Sequence, residues 1–319
     1  MTHYDIFNGD ADGICALIQL RLAHPVRDEI LITGTKRDIQ LVQQVKAKHG
    51  DHLTILDISM AKNHDPLVSA IALGATIDYF DHHDAGNIPT SPQLNAHIDT
   101  AAETCTSLIV NTHLKGQFLP WAIVAAFGDN MHEQAIEVAK PLNYTETQLE
   151  SLKILGELLN YNAYGETVHD LHFKPTTLYR TLVRYRDPFD FINNDVAFTT
   201  LKEGFESDMK QAMELKPIDS NDKTATYKLP DARWARRISG VYGNLLAREH
   251  PKRAHAIITV DGDSGYRVSV RAPLNHRLHA ETLCSQFATG GGRSAAAGIN
   301  HLPAHELDRF FTAFRKTYA

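Results

Sequence analysis

Cysteine and tryptophan are scarce in this chain of 319 residues, which has 3 cysteines and 2 tryptophans. Three cysteines leave one over from any set of disulfides, and the separations between Cys15, Cys105 and Cys284 fit no zinc-binding motif. The composition therefore indicates neither a disulfide-stabilised domain nor a structural zinc domain. We expect a protein of the reducing cytoplasm.

Long apolar runs are also lacking. No run approaches the ~18 residues of a membrane-spanning helix, although 43% of the residues are hydrophobic, which is enough for an ordinary core. Asp5, Asp10 and Asp12 interrupt the region where a signal peptide would have a basic and then an apolar segment. We expect no membrane partner, and the length allows two domains or one large one.

Charge is distributed unevenly along the chain. Residues 1–230 have 19 Lys and Arg against 31 Asp and Glu, whereas residues 231–319 have 13 against 7. An acidic part followed by a basic part suits a metal-binding half joined to an anion-binding half, and the alternative is a chance difference in composition.

Short apolar runs alternate with helical patterns over the first 130 residues. The runs YDIF, EILITGT, HLTILDIS and ATIDYFDHH predict strands, and helices are predicted at 13–22, 37–49, 66–73, 104–114 and 119–127. This alternation predicts an α/β fold with a parallel sheet and helices on both faces. Residues 131–215 are mostly helical in pattern, with Pro188 as a break.

A second, smaller α/β domain is predicted near the C-terminus. The polar stretch KPIDSNDKTATYKLPD, at 216–231, is the best candidate for a linker. A helix at 232–249, the strands AHAIITVDG and YRVSVRAP, a short helix and the glycine run GGGRSAAAG follow it.

Acidic and histidine side chains stand where the predicted strands and one apolar run end. They are Asp10, Asp12, Asp57, Asp81, His82, His83 and Asp129. Ligands of open α/β sheets bind beyond the carboxyl ends of the strands, so these side chains are expected to share one site. Clustered carboxylates repel one another unless cations neutralise them, and oxygen with imidazole ligands favours Mn²⁺, Mg²⁺ or a similar ion. Taken alone, each motif has a simpler structural interpretation. For example, Asp-x-Asp after a strand is often a helix N-cap.

The ordered motifs DADG, LDIS, DHH and FGDN resemble those of the DHH phosphoesterases, and GGGRSAAAG resembles the glycine motif of their usual second domain, the DHHA1 type. The resemblance implies a metal-binding DHH domain at 1–190, a helical segment and linker at 191–230, and a DHHA1-type substrate-binding domain at 231–319. It also implies two Mn²⁺ sites, with Mg²⁺ or another divalent ion as the alternative. The implied ligands are Asp10, Asp12, Asp57, His82 and Asp129.

Further roles follow from the same resemblance. Asp57 would bridge the two ions, Asp81 would orient a histidine, and His83 would face the phosphate or the leaving group of the substrate. The chain departs from many members at Ile6, where they have a histidine four residues before the first aspartate. Asn8 is the candidate for the missing oxygen ligand, and we expect one ion to bind more weakly than the other.

The glycine run is the predicted phosphate-binding element of the second domain. Gly290, Gly291 and Gly292 would let backbone N–H groups approach an anion, and a helix starting just after them would add its dipole. A flexible loop is the alternative. Arg293 stands where the family usually has a histidine, and Arg271 ends a predicted strand; either guanidinium would bind phosphate.

The resemblance thus implies a metal-dependent hydrolase of phosphodiester or phosphomonoester bonds, similar to the oligoribonuclease and exonuclease branch. The chain has no basic stripe rich in aromatic residues, so short oligonucleotides or nucleotides are favoured over long strands. The alternatives are a single-strand exonuclease, a cyclic-dinucleotide phosphodiesterase, and a nucleotide-binding regulatory protein with an impaired metal site, which Ile6 and Arg293 favour. A homodimer is left open.

Overall fold

Five parallel strands form the sheet of the first of two units, Met1–Lys202, in a computed structural model that describes residues 1–261 and 265–319. The strands are β1 (His3–Phe7), β2 (Ile30–Ile32), β3 (His52–Leu56), β4 (Thr76–Asp81) and β5 (Leu94–Ile98). Their order in the sheet is β2-β1-β3-β4-β5. The chain runs outward in opposite directions from β1, so the carboxyl ends of β1 and β3 lie at the switch point where sheets of this kind bind ligands.

Helices pack on both faces of this sheet, as the sequence predicts. The helices up to residue 213 are α1 (Ala11–Ala23), α2 (His64–Ala72), α3 (Thr106–His113), α4 (Leu119–Gly128), α5 (His132–Ala139), α6 (Glu146–Asn162), α7 (Pro175–Leu182), α8 (Pro188–Asn194) and α9 (Val196–Met213), and the last of these crosses the boundary between the two units. Leu67 of α2 packs on one face in an apolar cluster with Ile6 and Ile55. On the other face, Arg21 of α1 forms an ion pair with the buried Asp5 of β1.

The second unit, Glu203–Ala319, contains a six-stranded sheet in the order β10-β11-β9-β8-β7-β6. After α9 its elements are β6 (Asp219–Ser220), β7 (Thr224–Leu229), α10 (Arg233–Glu249), β8 (Ala254–Asp261), β9 (Gly265–Arg271), α11 (Ala280–Cys284), β10 (Gly290–Gly292), β11 (Ala296–Pro303) and α12 (Leu307–Thr317). Only β7 and β8 pair in parallel. Phe310 and Phe314 of α12 pack into its core with Phe287.

The helix predicted at 37–49 is wrong, because only a 3-10 turn forms there, at Val42–Gln44. The Asn63 side chain supplies hydrogen bonds that a helix would otherwise make within its own backbone. It accepts from the Val42 N–H at 3.2 Å and donates to the Ile39 carbonyl at 2.7 Å. Such bonds from side chains compete with helix formation.

The linker predicted at 216–231 is also wrong, because β6 and β7 lie within it. Thr224 and Thr226 of β7 are buried, so a stretch that is polar in composition still forms an inner strand. Threonine is β-branched and favours strands, which explains why composition alone misled here. The functional domain boundaries at 190 and 230 stay predictions.

Four smaller points complete the comparison with the expected elements. No expectation covered β5, and the glycine run is followed by β11 rather than by a helix. The last residue of the predicted strand AHAIITVDG, Gly262, lies outside the described residues. No helix among the described residues is both long and apolar enough to cross a bilayer.

Candidate metal centre

Asp10 and Asp12 lie at the junction between β1 and α1. Asp10 is the N-cap of α1, and its Oδ1 accepts from the N–H groups of Asp12 and Gly13 at 3.0 and 3.2 Å. Asp12 is buried, and its two carboxylate oxygens accept from the Thr106 and Ser107 N–H groups, at 2.8 and 2.7 Å. The interpretation of Asp10 as a helix N-cap is therefore correct. Its Oδ2 takes no part in the cap and contacts Lys36 instead.

Asp57 directly follows β3 in a backbone conformation that few residues adopt. Its φ is +57°, in the left-handed region that costs energy for any residue with a Cβ. The side chain is almost completely buried, and its Oδ1 lies 3.4 Å from the Thr106 hydroxyl and 3.5 Å from His82 Nε2. Strained residues are common at functional sites, where surrounding contacts hold them in place.

The ring of His82 is oriented by the main chain. Its Nδ1 lies 3.1 Å from the Thr104 carbonyl oxygen, which can only accept, so Nδ1 must carry the hydrogen. In the neutral ring, the lone pair of Nε2 then faces Asp57. An imidazole whose other nitrogen donates to a carbonyl is the usual arrangement of a metal-binding histidine.

His83 pairs with the last residue of β4. Its Nδ1 lies 2.7 Å from Oδ1 of Asp81, which is fully buried, whereas 42% of the His83 side chain is exposed. The carboxylate accepts the Nδ1 hydrogen and so orients the ring. His83 Nδ1 also lies 4.0 Å from Asp57 Oδ1, and the potential ligand atoms of Asp57, His82 and His83 all lie within 4.8 Å of one another.

Asp129 directly follows α4, and small residues bring this helix close to its neighbours. A Cβ added at Gly128 would stand 2.4 Å from the Ala11 Cβ and 2.8 Å from the Gly156 carbonyl oxygen. Such contacts are too short for any side chain, so α1, α4 and α6 approach closely because of Gly128 and Gly156. Asp129 is thereby placed beside the N-terminal end of α1.

The carboxylates influence one another strongly. Burial raises the pKa of Asp57 well above its ordinary value, and the nearby Asp10 and Asp12 raise it further. Burial likewise raises the pKa of Asp12, against the opposing effect of His82. Acids that resist ionisation in this way need a cation if they are to be charged at neutral pH.

Several polar atoms of the site fit a bound cation. Asn8 Oδ1, Asp81 Oδ2 and Asp129 Oδ2 are buried and have no hydrogen-bond partner. Together with the lone pair of His82 Nε2 they form a set of oxygen and nitrogen donors that suits Mn²⁺ or Mg²⁺. The residues present therefore fit a divalent ion.

Sequence reasoning missed one residue of this site, Lys36. Its Nζ lies 2.5 Å from Asp10 Oδ2, 3.0 Å from Asn160 Oδ1 and 3.7 Å from Asp129 Oδ1. Burial lowers the pKa of this ammonium, but Asp10, Tyr164 and Asp129 together outweigh burial, and the pKa lies well above its usual value. Lys36 follows a predicted strand in the segment ITGTK, but nothing local in the sequence indicates that its side chain enters the acidic site.

Ile6 and Asn8 occupy different environments. Ile6 is fully buried in the apolar cluster beneath the sheet, and an isoleucine offers no ligand atom in any case. Asn8 follows β1, and its Nδ2 donates to the Lys36 carbonyl at 3.3 Å, which leaves Oδ1 among the buried atoms without a partner. Its assignment as an additional oxygen ligand stays a prediction.

The basic residues predicted to bind phosphate lie in the second unit. The guanidinium of Arg271 donates to Asn244 Oδ1 at 2.6 Å, Ser269 Oγ at 2.9 Å and the Gly240 carbonyl at 3.2 Å, so it also joins β9 to α10. Arg293 is exposed in the turn between β10 and β11.

The three glycines form the edge strand β10 rather than a loop before a helix. A Cβ at Gly290 would meet the Cys284 carbonyl oxygen at 1.7 Å, and one at Gly292 would meet the Ala297 Cα at 2.6 Å. Packing thus explains two of these glycines. A Cβ at Gly291 would meet open space, so this position is the one that packing does not explain. Phosphate binding by these residues stays a prediction.

No protein-family model matches the chain, and no curated protein matches it. Solved structures do. A pGpG-specific phosphodiesterase, PggH from Vibrio cholerae, is 13% identical over 100% of this chain and 99% of its own, with a TM-score of 0.57. A manganese-bound exonuclease RecJ is 14% identical over 99% of this chain and 90% of its own, with a TM-score of 0.62. An exopolyphosphatase-related protein from Bacteroides fragilis is 11% identical over 99% and 91%, with a TM-score of 0.51. At these identities the likeness establishes the fold.

Proposed function

From the fold that the chain shares with the DHH phosphoesterases, we propose that it is a metal-dependent hydrolase of phosphodiester or phosphomonoester bonds in short oligonucleotides or nucleotides. The observation that carries the proposal is the meeting of Asp57, His82 and His83 at the ends of β3 and β4. The donor atoms of Asp10, Asp12 and Asp129 belong to the same acidic neighbourhood, since each of these carboxylates raises the pKa of Asp57.

Each residue has a role that follows from its contacts. Asp57, His82 and Asp12 would hold a divalent ion, which supplies Lewis acidity and an activated water when bound. The Thr104 carbonyl keeps the Nε2 lone pair of His82 available for this purpose. Asp81 fixes the His83 ring and would stabilise its protonated form, so that the exposed part of the ring can donate to a phosphate oxygen or to the leaving oxygen.

The substrate class rests on the solved structures with this fold and on the charge distribution. The matching structures include a phosphodiesterase named for pGpG, a dinucleotide, and an exonuclease. Residues 231–319 are basic and lack an aromatic-rich stripe, which favours a short anionic substrate over a long single strand. A single-strand exonuclease and a cyclic-dinucleotide phosphodiesterase are the alternatives within the class.

Two observations favour a function without turnover. Lys36 already neutralises Asp10, and Ile6 stands where many members of the family have a histidine. The second candidate is therefore a regulatory protein that binds nucleotides and has an impaired metal site. Such a protein would bind dinucleotides or nucleotides tightly and release them unchanged.

Hydrolysis of a defined panel tests the proposal. The panel contains di- to pentanucleotides, a long single strand, a cyclic dinucleotide, 3′-phosphoadenosine 5′-phosphate and a chromogenic phosphodiester, each with Mn²⁺ and with Mg²⁺. We expect turnover of the short substrates and loss of at least about a hundredfold in kcat/KM for Asp57→Asn, because weakening a metal site costs this much or more.

Asp65→Asn is the matched control, since the Asp65 side chain is 99% exposed and lies in α2. It should retain full activity. Absence of turnover on every substrate, together with measurable dinucleotide binding, would favour the regulatory protein instead.

A further inference from the structure

Lys36 is held in the acidic site by its backbone as well as by its side chain. Its N–H donates to the Ala163 carbonyl at 2.9 Å, and its carbonyl accepts from Asn8 Nδ2 at 3.3 Å. The ammonium also lies 5.9 Å from the centre of the Tyr164 ring. The segment after β2 therefore holds the Lys36 ammonium in a defined position, unlike a lysine that is mobile on the surface.

Three oxygen atoms surround this cation. Asp10 Oδ2, Asn160 Oδ1 and Asp129 Oδ1 lie 2.5, 3.0 and 3.7 Å from Nζ, and they come from the start of α1, the end of α6 and the end of α4. Carboxylate and amide oxygens from separate elements are the donors that a divalent ion takes in proteins. The ammonium thus occupies an environment built like that of a metal ion.

We infer that Lys36 is a built-in cation that takes the place of one metal ion of the pair, so that the site binds a single divalent ion next to Asp57 and His82. The inference deepens the proposed function, on which it rests, by assigning the number of ions and the residue that limits it.

Distances explain why the two cations exclude each other. A divalent ion bound to Asp10 Oδ2 at about 2.0–2.6 Å would lie at most about 5 Å from Nζ, since Nζ itself lies 2.5 Å from that oxygen. Like charges at this separation repel each other, and the Asp10 carboxylate between them is buried. The Lys36 ammonium would have to leave Asp10, Asn160 and Asp129 before an ion entered, and it would lose its contacts with all three oxygen atoms.

The other side of the site remains suited to a metal. Asp57 Oδ1 and His82 Nε2 face each other across 3.5 Å, and no lysine or arginine ion pair of Asp57 occurs among the described residues. The two carboxylate oxygens of Asp12 accept from the backbone N–H groups of Thr106 and Ser107, and each oxygen has a further lone pair. One ion at this position would satisfy Asp57 and His82, whose potential ligand atoms lie within 4.8 Å of one another and of a nitrogen of His83.

The test is the number of Mn²⁺ ions bound per chain. The purified protein and its Lys36→Met variant, in which the new side chain is unbranched and uncharged, are titrated with Mn²⁺ while electron paramagnetic resonance measures the free ion. We expect one ion per chain in the wild type and two in Lys36→Met, with the spin-coupled signal of a Mn²⁺ pair in the variant alone. Lys36→Arg, which retains the charge, should bind one ion.

Two further variants test whether the number of bound ions depends on the position of the lysine and on the folding of the variant. Lys153→Met removes a half-buried lysine of α6 that pairs with Glu150, and this variant should bind one ion like the wild type. Lys36→Met combined with Asp10→Asn removes both partners of the ion pair, so it should fold without metal and bind one ion. Circular dichroism checks that each variant is folded, and Lys36→Met is refolded with Mn²⁺ if it unfolds without it.

The outcomes distinguish this inference from the proposed function. Two ions per chain in the wild type, or one in a folded Lys36→Met, would overturn the inference and leave the metal-dependent hydrolase intact. No ion bound by any variant would overturn the proposed metal site itself, and with it the inference.

Discussion

Asp57 combines a left-handed backbone with a buried carboxylate that resists ionisation, and both features reduce the stability of the metal-free fold. Packing explains neither feature. A glycine would adopt the left-handed backbone at lower cost, and a neutral side chain would be buried at lower cost than a carboxylate. A residue that destabilises the protein in two ways is best understood by what it binds, which supports the metal role proposed for it.

Asp57→Gly is predicted to be more stable than Asp57→Ala by about 1 kcal/mol, because only glycine adopts the left-handed conformation without steric cost. Both variants should lose the tight Mn²⁺ site to the same extent. Urea unfolding in the presence of a chelator measures the first difference, and Mn²⁺ titration measures the second. Equal stabilities of the two variants would show that the backbone at this position carries no strain.

His255 is a buried histidine of β8 that the proposed chemistry does not use. Neither ring nitrogen has a hydrogen-bond partner, and burial, reinforced by the positive charge of nearby His250 and Arg253, lowers its pKa to about 4. The ordinary value is 6.5, so between pH 6.5 and about 4 the unfolded chain binds a proton that the folded chain does not. Stability is therefore complete above pH 6.5 and falls as the pH is lowered through this window.

The free energy of unfolding of the wild type is predicted to fall by up to about 3 kcal/mol between pH 7 and pH 4, because the two pKa values of His255 differ by roughly 2.5 units. His255→Phe should remove this dependence on pH. Trp234 lies in the second unit and Trp121 in the first, so fluorescence of a Trp121→Phe background follows unfolding of the second unit. His305→Ala, an exposed control, should keep the full dependence. A pH profile unchanged by His255→Phe would assign the acid sensitivity to other groups.

At the scale of elements, the site depends on how closely α4 approaches α6. A Cβ at Gly156 would meet the Val124 carbonyl oxygen at 2.2 Å and the Gly128 nitrogen at 2.8 Å, so both are backbone contacts that cannot yield without moving a helix. Asp129 follows α4 directly, and a displaced α4 would move it away from Lys36.

Gly156→Ala is predicted to destabilise the protein by about 1–3 kcal/mol, as overpacking does, and to weaken metal binding. Gly243→Ala provides the matched control in α10, where the nearest atoms to an added Cβ are side-chain atoms at 3.6 Å. There the usual preference of a helix for alanine should stabilise the protein by about 0.5–1 kcal/mol. Thermal unfolding of the two variants decides the matter, and a stabilising Gly156→Ala would contradict the close approach of these helices.

At the scale of the whole molecule, the two units carry opposite charge. Met1–Lys202 has 15 Lys and Arg against 25 Asp and Glu, and Glu203–Ala319 has 17 against 13. The acidic unit contains every predicted metal ligand and His83, which is predicted to face the reacting phosphate, and the basic unit contains the glycines and arginines predicted to bind a second phosphate. We therefore expect the chemistry and the binding of a second phosphate to respond to different substitutions.

Arg293→Ala is predicted to raise KM for dinucleotides by about 10–150-fold, since a charge-assisted phosphate contact contributes roughly 1.5–3 kcal/mol. On a chromogenic phosphodiester without a second phosphate its effect should be slight, whereas Asp57→Ala should abolish turnover of both substrates. Arg277→Ala, which removes another exposed arginine of the same unit, should change neither. Equal losses on both substrates for Arg293→Ala would mean that Arg293 serves the reacting phosphate or the fold.

The sequence by itself determined the α/β class, the parallel sheet and the ordered residues at its carboxyl edge. Those features depend on local periodicity, and on the rule that parallel strands present their carboxyl ends at one edge, so Asp10, Asp57 and His82 could be expected together before any coordinates. The same reasoning failed at 37–49 and 216–231, where side chains from elsewhere in the chain or buried threonines override composition.

Only the tertiary structure decided which acidic and basic side chains neutralise each other. Lys36 and Asp10 are 26 positions apart, and Asn160 joins them from α6, so no local pattern could reveal that a lysine enters the acidic site. The strain at Asp57 and the close approach at Gly156 likewise arise from how distant elements pack. Electrostatic and packing energies depend on distances in space, whereas periodicity is a property of neighbours in sequence. This is why the sequence indicated candidate metal ligands but not the lysine that lies among them.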